Sequence, residues 1–265
     1  MIPKIIHYCW FGGNPLPKLA RKCIKSWKKF CPDYEIVQWD ESNFDVPAAP
    51  LYVRQAYEAK KWAFVTDYVR LKVIYDNGGI YMDTDVELIK SLDGLLSHKA
   101  YFGFEKSGFD DKDYVATGLG FGAEKGCPIL LEMMNDYEKD PFVLEDGSFD
   151  GTTCPKRNTL ALMQYGFIPD GQYQELDGIA VYPAPVFCPL SYDDGVLRKD
   201  KQTISIHWFT ASWWSRKMQK SNMKRQKKRR ESQRREFWRY LPNRMILRLL
   251  GEDKYTELKR KIIGK

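Results

Sequence analysis

Histidine is scarce in this chain. Only His7, His98 and His207 occur among 265 residues. That is too few for a histidine-rich metal centre, so a divalent ion would be held mainly by oxygen, which favours Mg2+ or Mn2+ over zinc. The six cysteines (9, 23, 31, 127, 154 and 188) form no CxxC pair; they read as free thiols that fill the core, not as a disulfide framework. No apolar run approaches the roughly 20 residues of a membrane span. The opening MIPKIIHYCWFGG shows neither the charged region nor the cleavage pattern of a signal peptide, so the expectation is a cytoplasmic protein. No internal repeat is present, and 43% hydrophobic with 14% aromatic residues excludes a disordered chain.

Charge is unevenly placed. From Arg216 to Lys265 there are 19 Lys and Arg against 5 Asp and Glu, a net of +14, which leaves residues 1–215 with 23 against 30, a net of −7. An acidic body carries a basic tail, and the expected division is a catalytic domain over 1–215 and a helical tail over 216–265.

Periodicity and turn signals give the body an α/β order. Residues 4–10 read as a buried strand closed by Gly12-Gly13-Asn14-Pro15, residues 18–30 as a helix and 34–39 as a second strand. Residues 62–76 have helical spacing and end at Asn77-Gly78; residues 80–82 follow as a strand. Strands are expected at 100–104, 119–123, near 178–182 and over 203–208, a helix at 127–139, and loop over 139–158. Such an order builds a sheet with crossover helices, which binds ligands beyond the carboxyl ends of its strands.

Asp83 and Asp85 stand at such an end, in Gly78-Gly79-Ile80-Tyr81-Met82-Asp83-Thr84-Asp85-Val86. Residues i and i+2 of a strand share a side, so the two carboxylates are placed to chelate one cation. A bare DxD is more often a solvated cap than a site; its surroundings decide. Upstream, Asp67 and Arg70 lie three apart on one helix face together with Ala63 and Ile74, which turns the pair inward. Arginine there is shaped for bidentate contact with phosphate or hydroxyl groups, although a structural ion pair has the same spacing.

The block WAFVTDYVRLKVIYDNGGIYMDTDVE resembles the DXD-containing sugar-binding region of glycosyltransferase family 32, which includes bacterial capsular polysaccharide and yeast mannosyl enzymes and is related to clostridial glucosylating toxins. IPKIIHYCWFGG, TGLGFGAEKGCPIL and IHWFTASWW resemble further blocks of that family in the same order. The resemblance implies a GT-A-like, Rossmann-type mixed sheet flanked by helices. It also implies a nucleotide-sugar donor (a UDP-sugar favoured over a GDP-sugar), a divalent metal (Mn2+ or Mg2+) and retention of anomeric configuration. By the same resemblance Trp10 stacks on the donor base, Asp67 and Arg70 contact the donor sugar, and Asp83 faces ribose and sugar. Asp85 holds the metal with Asp83, His207 lies near metal and diphosphate, and Ser212 and Trp213 lie near the diphosphate. The segment Thr153-Cys154-Pro155 matches only in part an element that relatives use, which leaves the acceptor side unassigned.

The expected reaction is sugar transfer to a growing saccharide or lipid-linked saccharide of a capsule, exopolysaccharide or lipopolysaccharide, at the inner face of the cell membrane. Two other readings compete with this one. IYMDTDV also fits the first motif of haloacid-dehalogenase-like phosphatases, with Asp83 as nucleophile, but those carry it on the first strand. The run Lys224-Arg225-Gln226-Lys227-Lys228-Arg229-Arg230 fits a nucleic-acid binder, against which stand the acidic body and the lack of a nucleic-acid-reading motif. The tail alternates Phe237, Trp238, Leu241, Met245, Ile246 and Leu249 with Arg239, Arg244 and Arg248, broken at Pro242. That mixture suits an interfacial helix on an anionic membrane, not a nucleic acid.

Overall fold

A computed structural model describes residues 1–106, 112–210, 216–240, 251–252, 254–257 and 260–261. Ser212, Trp213 and the break expected at Pro242 lie outside the described residues. The chain divides into two compact units: Met1–Ser191 with Val196–Trp213, and Tyr192–Gly195 with Trp214–Lys265.

The first unit begins with strand β1 (Ile5–Cys9), helix α1 (Lys18–Phe30), strand β2 (Glu35–Trp39) and helices α2 (Leu51–Glu58) and α3 (Trp62–Asn77). Strands β3 (Gly79–Tyr81), β4 (Val86–Leu88), β5 (Ala100–Lys106), β6 (Asp113–Val115) and β7 (Phe121–Ala123) follow. Next come α4 (Pro128–Lys139), α5 (Cys154–Gln164), β8 (Gln174–Leu176), β9 (Ile179–Tyr182), α6 (Ala184–Phe187) and β10 (Ser205–His207). The main sheet runs β2-β1-β3-β7-β5-β9-β8, with β6 on β5, while β4 and β10 form a separate ribbon. β1 pairs in parallel with β2 and β3, whereas β7 runs antiparallel between β3 and β5. The expected mixed sheet flanked by helices is therefore present.

Alternate residues of each strand feed two cores, as a sheet covered on both faces requires. Tyr81, Phe102, Phe104 and Phe121 join the core under α2, α3 and α4; Ile6, Tyr8, Ile80, Met82 and Tyr101 join the core under α1. α1 is amphipathic, burying Ala20, Cys23 and Trp27, and the Trp27 indole donates to the Val86 carbonyl at 2.8 Å. All six cysteines are buried free thiols.

Three expectations need correction. The stretch 139–158 is not loop throughout, because α5 starts at Cys154. Residues 117–119 form a 3-10 turn, and β7 starts only after Gly120, whose φ of +112° breaks the extended run. α2 and the short strands β4, β6 and β8 lie where the sequence reading placed no element.

In the second unit, α7 (Arg216–Tyr240) is one helix of 25 residues. Its Gln226 amide donates to the Tyr192 carbonyl at 2.8 Å, Arg229 pairs with Asp193 at 3.1 Å, and the Arg225 guanidinium lies over the Tyr192 ring. Lys224, Lys227, Lys228, Arg230, Arg234 and Arg235 are exposed.

Candidate active site

The turn from α3 into β3 fixes where the carboxylates emerge. Gly78 (φ +70°) stops α3, and Gly79 (φ +105°) lies so close to β1 that a Cβ there would be 2.8 Å from the Ile5 carbonyl oxygen and 2.9 Å from His7 Nε2. Both positions need a left-handed backbone, and the second also needs the missing side chain. The His7 ring locks the same junction: Trp39 Nε1–H donates to Nδ1 at 3.0 Å, so Nε2 carries the proton and donates to the Gly78 carbonyl at 3.0 Å. Burial pushes the His7 pKa down to about 4, so the ring is neutral at neutral pH.

Beyond β3 the strand alternation continues for one step. Tyr81 points to the α3 side, and its hydroxyl donates to Asp83 Oδ1 at 2.8 Å. Arg70 fills the space between, only 5% exposed. Its Nη2 is 2.9 Å from Asp67 Oδ1 and 3.5 Å from Asp83 Oδ1, its Nε–H donates to the Thr66 carbonyl at 3.0 Å, and its guanidinium lies 5.1 Å from the centre of the Tyr81 ring. Burial opposes the charge on Arg70, but Asp83, Tyr81 and Asp67 hold it firmly protonated. Burial pushes Asp67 up to about 6 against the pull of Arg70.

Gly118 closes the floor: a Cβ there would lie 2.4 Å from Asp83 Oδ2 and 3.2 Å from Arg70 Nη1. Thr117 is within 3.5 Å of Arg70 Nη1 and 3.1 Å of the Cys154 thiol, and Asn158 Nδ2–H donates to the Thr117 hydroxyl at 3.0 Å. Thr117, Gly118, Cys154 and Asn158 are site residues that sequence reasoning did not single out. Thr117 and Gly118 did stand in the quoted TGLGFG block, and Cys154 in the partly matching segment.

Asp85 turns to the β4–β10 ribbon. Antiparallel pairing puts His207 opposite Val86, which brings His207 Nε2 to 3.3 Å from Asp85 Oδ1. The Thr210 N–H and hydroxyl donate to Asp85 Oδ2 at 2.9 and 2.7 Å. Burial works against ionisation of Asp85, but His207 and Thr210 hold its pKa well below the ordinary carboxylate range. Burial likewise opposes the His207 charge, and Asp85, Cys188 and Glu105 overcome it and hold the ring protonated. Thr210 and Glu105 are two further residues the sequence did not mark.

One ligand atom each from Asp83, Asp85 and His207 lie within 4.8 Å of one another. Two carboxylates and one imidazole make a donor set suited to Mg2+ or Mn2+, so these residues fit the divalent ion that the sequence led us to expect. Asp67 and Arg70 adjoin this trio through Asp83. Trp10 sits just past the end of β1, half-buried, with its indole N–H donating to the Asn14 carbonyl at 2.5 Å.

The mixed sheet thus carries a DXD pair at a strand end, a buried Asp–Arg pair behind it and a histidine closing it. Residues 17–102 match the family described as glycosyltransferase sugar-binding region containing DXD motif. It is 34% identical over 146 residues to inositol phosphoceramide mannosyltransferase 3 of Schizosaccharomyces pombe, an alignment covering 53% of this chain and 38% of that protein. It is also 30% identical over 139 residues to a Nicotiana tabacum protein named probable glutathione S-transferase parA, covering 44% of this chain and 62% of that one. The chain thus spans well under half of the yeast relative. Among solved structures, a PaToxG glycosyltransferase aligns with a TM-score of 0.47 at 19% identity, over 62% of this chain and 70% of that one.

Proposed function

We propose that this protein moves a sugar from a nucleotide-sugar donor, UDP-linked in preference to GDP-linked, to a saccharide or lipid-linked saccharide acceptor, with retention of anomeric configuration and with a divalent metal. The observation that carries the reading is the convergence of Asp83, Asp85 and His207 within 4.8 Å, beside the buried Arg70. Mn2+ or Mg2+ bound there supplies positive charge against the diphosphate as the sugar leaves. Arg70 adds a second, fixed cation beside Asp83, already oriented by Thr66, Asp67 and Tyr81 and so needing no reorganisation during reaction. Asp67, held beside it, is placed to accept hydroxyl protons of the donor sugar, and Trp10 at the end of β1 to stack on the base. No side chain is assigned as a base, because front-face attack lets the acceptor hydroxyl pass its proton to the departing phosphate oxygen.

The acceptor side of the proposal rests on the similarity to the yeast inositol phosphoceramide mannosyltransferase and on α7. The exposed face of Lys224, Lys227, Lys228, Arg230, Arg234 and Arg235 suits the anionic cytoplasmic leaflet, each such cation contributing about 1 kcal/mol near that surface. This placement, peripheral on the inner face of the cell membrane, fits synthesis of a capsule, exopolysaccharide or lipopolysaccharide. The test is a panel of UDP- and GDP-sugars, with Mn2+, Mg2+ or chelator, in which release of nucleotide diphosphate is measured. Metal-dependent hydrolysis of one donor, abolished in Asp83→Ala and Asp85→Ala, supports the reading. Full activity of either variant in excess chelator overturns it. Co-sedimentation with anionic but not neutral liposomes, weakened by salt, tests the placement.

A further inference from the structure

His207 has a second side. Its Nε2 faces Asp85, whereas its Nδ1 points away, buried and without a hydrogen bond, 4.0 Å from Glu105 Oε2. Cys188 also lies beside the His207 ring. It caps α6 on the carboxyl side, and α6 is tied to β10 by the Ser205 hydroxyl, which donates to the Phe187 carbonyl at 3.3 Å. One atom each of Glu105, Cys188 and His207 lie within 4.8 Å of one another. These three come from β5, the end of α6 and β10, and each is held by its own element.

We propose that Glu105, Cys188 and His207 form a second cation site, selective for a thiophilic divalent ion and above all Zn2+, that competes with the DXD site for His207. A thiolate, an imidazole nitrogen and a carboxylate are the ligand types zinc takes, and a thiolate disfavours Mg2+ and Mn2+. In tetrahedral zinc sites, bonds of about 2.0–2.3 Å put ligand atoms roughly 3.5 Å apart, so a small inward rotation of the Glu105 and Cys188 side chains closes the site. The fourth position is left to water. Zinc binding at Nδ1 displaces the proton from that nitrogen and from the Cys188 thiol to solvent. The one remaining ring proton then resides on Nε2, which donates to Asp85 instead of ligating an ion beside it. Zinc at this site removes one of the three DXD-side ligands and raises the Mn2+ or Mg2+ concentration needed for activity. The competition rests on the function proposed above; the zinc site itself does not.

Cobalt(II) replaces zinc as a coloured probe, and thiolate ligation gives it a near-ultraviolet charge-transfer band. Titrating the full-length protein with Co2+ is expected to produce this band to one equivalent and Zn2+ to bleach it. Cys188→Ser abolishes the band, Glu105→Gln weakens cobalt binding at least 10-fold, and Asp83→Ala together with Asp85→Ala leaves the band in place. In the transfer assay, Zn2+ raises the half-saturating Mn2+ concentration of wild type but not of Cys188→Ser. Absence of the band in wild type, its survival in Cys188→Ser, or its loss in the DXD double variant overturns the proposal. If Cys188→Ser does not fold, Glu105→Gln decides alone, and unchanged cobalt affinity there is equally fatal. A cobalt–thiolate band without effect on Mn2+ keeps the site and overturns the competition.

Discussion

Gly118→Ala separates the position of Asp83 from its charge. Gly118 lies in the 3-10 turn before β7 and has no left-handed φ, so its backbone accepts alanine without strain. The added methyl meets Asp83 Oδ2 at 2.4 Å, and the oxygen must retreat by about 0.6 Å to reach the 3.0 Å below which real Cβ contacts are not found. Asp83 can retreat, because its carboxylate ends a side chain that is 29% exposed. The folding cost is that of an off-rotamer side chain, about 1 kcal/mol, or a melting shift of a few degrees. The functional cost is larger. The retreat lengthens the 2.8 Å bond from Tyr81 and moves one of three candidate metal ligands by about the tolerance of a working site, roughly 0.5 Å. Misplacement on this scale costs on the order of 10²-fold in turnover. The assay is Mn2+ affinity by calorimetry, donor turnover and thermal melting, run beside Gly94→Ala, where a Cβ meets nothing within 4 Å and no property should change. Wild-type metal affinity and turnover in Gly118→Ala would refute the placement of Asp83 in the site.

Arg70→Lys keeps the charge but not the planar guanidinium, whose Nη2 reaches both Asp67 and Asp83 while Nε–H donates to the Thr66 carbonyl, so turnover should fall by on the order of 10- to 100-fold; equal turnover would reduce Arg70 to a long-range charge. With Asp67 pushed up to about 6 and required as a carboxylate, the rate should climb with pH through a limb near 6 that Asp67→Asn removes; a limb that persists in that variant assigns it to another group. His7 has its pKa lowered from 6.5 to about 4 in the folded state, so the unfolded chain binds the proton first and stability falls as pH drops from 6.5 towards 4. The loss is about 3 kcal/mol at 1.36 per pH unit. Asp67 slopes the other way between 3.8 and about 6, so the measurement is the difference between wild type and His7→Gln in urea unfolding across pH 4–7, and a flat difference refutes the His7 argument. Trp10→Ala should weaken donor binding by roughly 1–3 kcal/mol if the ring stacks on the base, and Trp10→Phe by less; a lower melting temperature with donor affinity unchanged would make Trp10 a core residue.

The fold was legible where one residue pattern carried one structure. α1 and α3 lie where periodicity placed them, because an apolar stripe and a glycine stop leave few alternatives. α2 is masked by its prolines: Pro47 and Pro50 are turn-forming residues, yet Pro50 only precedes a helix of eight residues that buries Tyr52, Val53 and Ala56. α5 was hidden by its polarity. It turns Arg157, Asn158 and Thr159 inward, where Thr159 accepts from the Val115 N–H and Arg157 pairs with Asp136 and Asp150, so no apolar stripe marks the helix. β4, β6 and β8 have three residues each and exist through their partners, a cause no local window contains.

The candidate site divides along the same line. Asp67 with Arg70 follows from helical spacing, and Asp83 with Tyr81 follows from strand alternation, so that half was readable from local sequence. Asp85 was expected on the same side as Asp83 because the strand was taken to continue, but β3 ends at Tyr81 and a turn closed by Val86 N–H on the Asp83 carbonyl intervenes at 3.0 Å. The turn sends the two carboxylates to different neighbours, Asp83 to Tyr81 and Arg70, Asp85 to His207 and Thr210. They still converge, because the β4–β10 pairing returns His207 to the mouth of that turn from more than 120 residues away. The separate partners give the carboxylates different tasks: Asp83 rests against a buried cation, so a shift of Asp83 is felt at Arg70, while Asp85 and His207 form an ion pair that a metal would have to break. Ion binding therefore competes directly with the Asp85–His207 pair, because His207 is itself a candidate ligand, whereas the Arg70 partner of Asp83 is not one, and substitutions at His207 should alter metal affinity more than those at Tyr81.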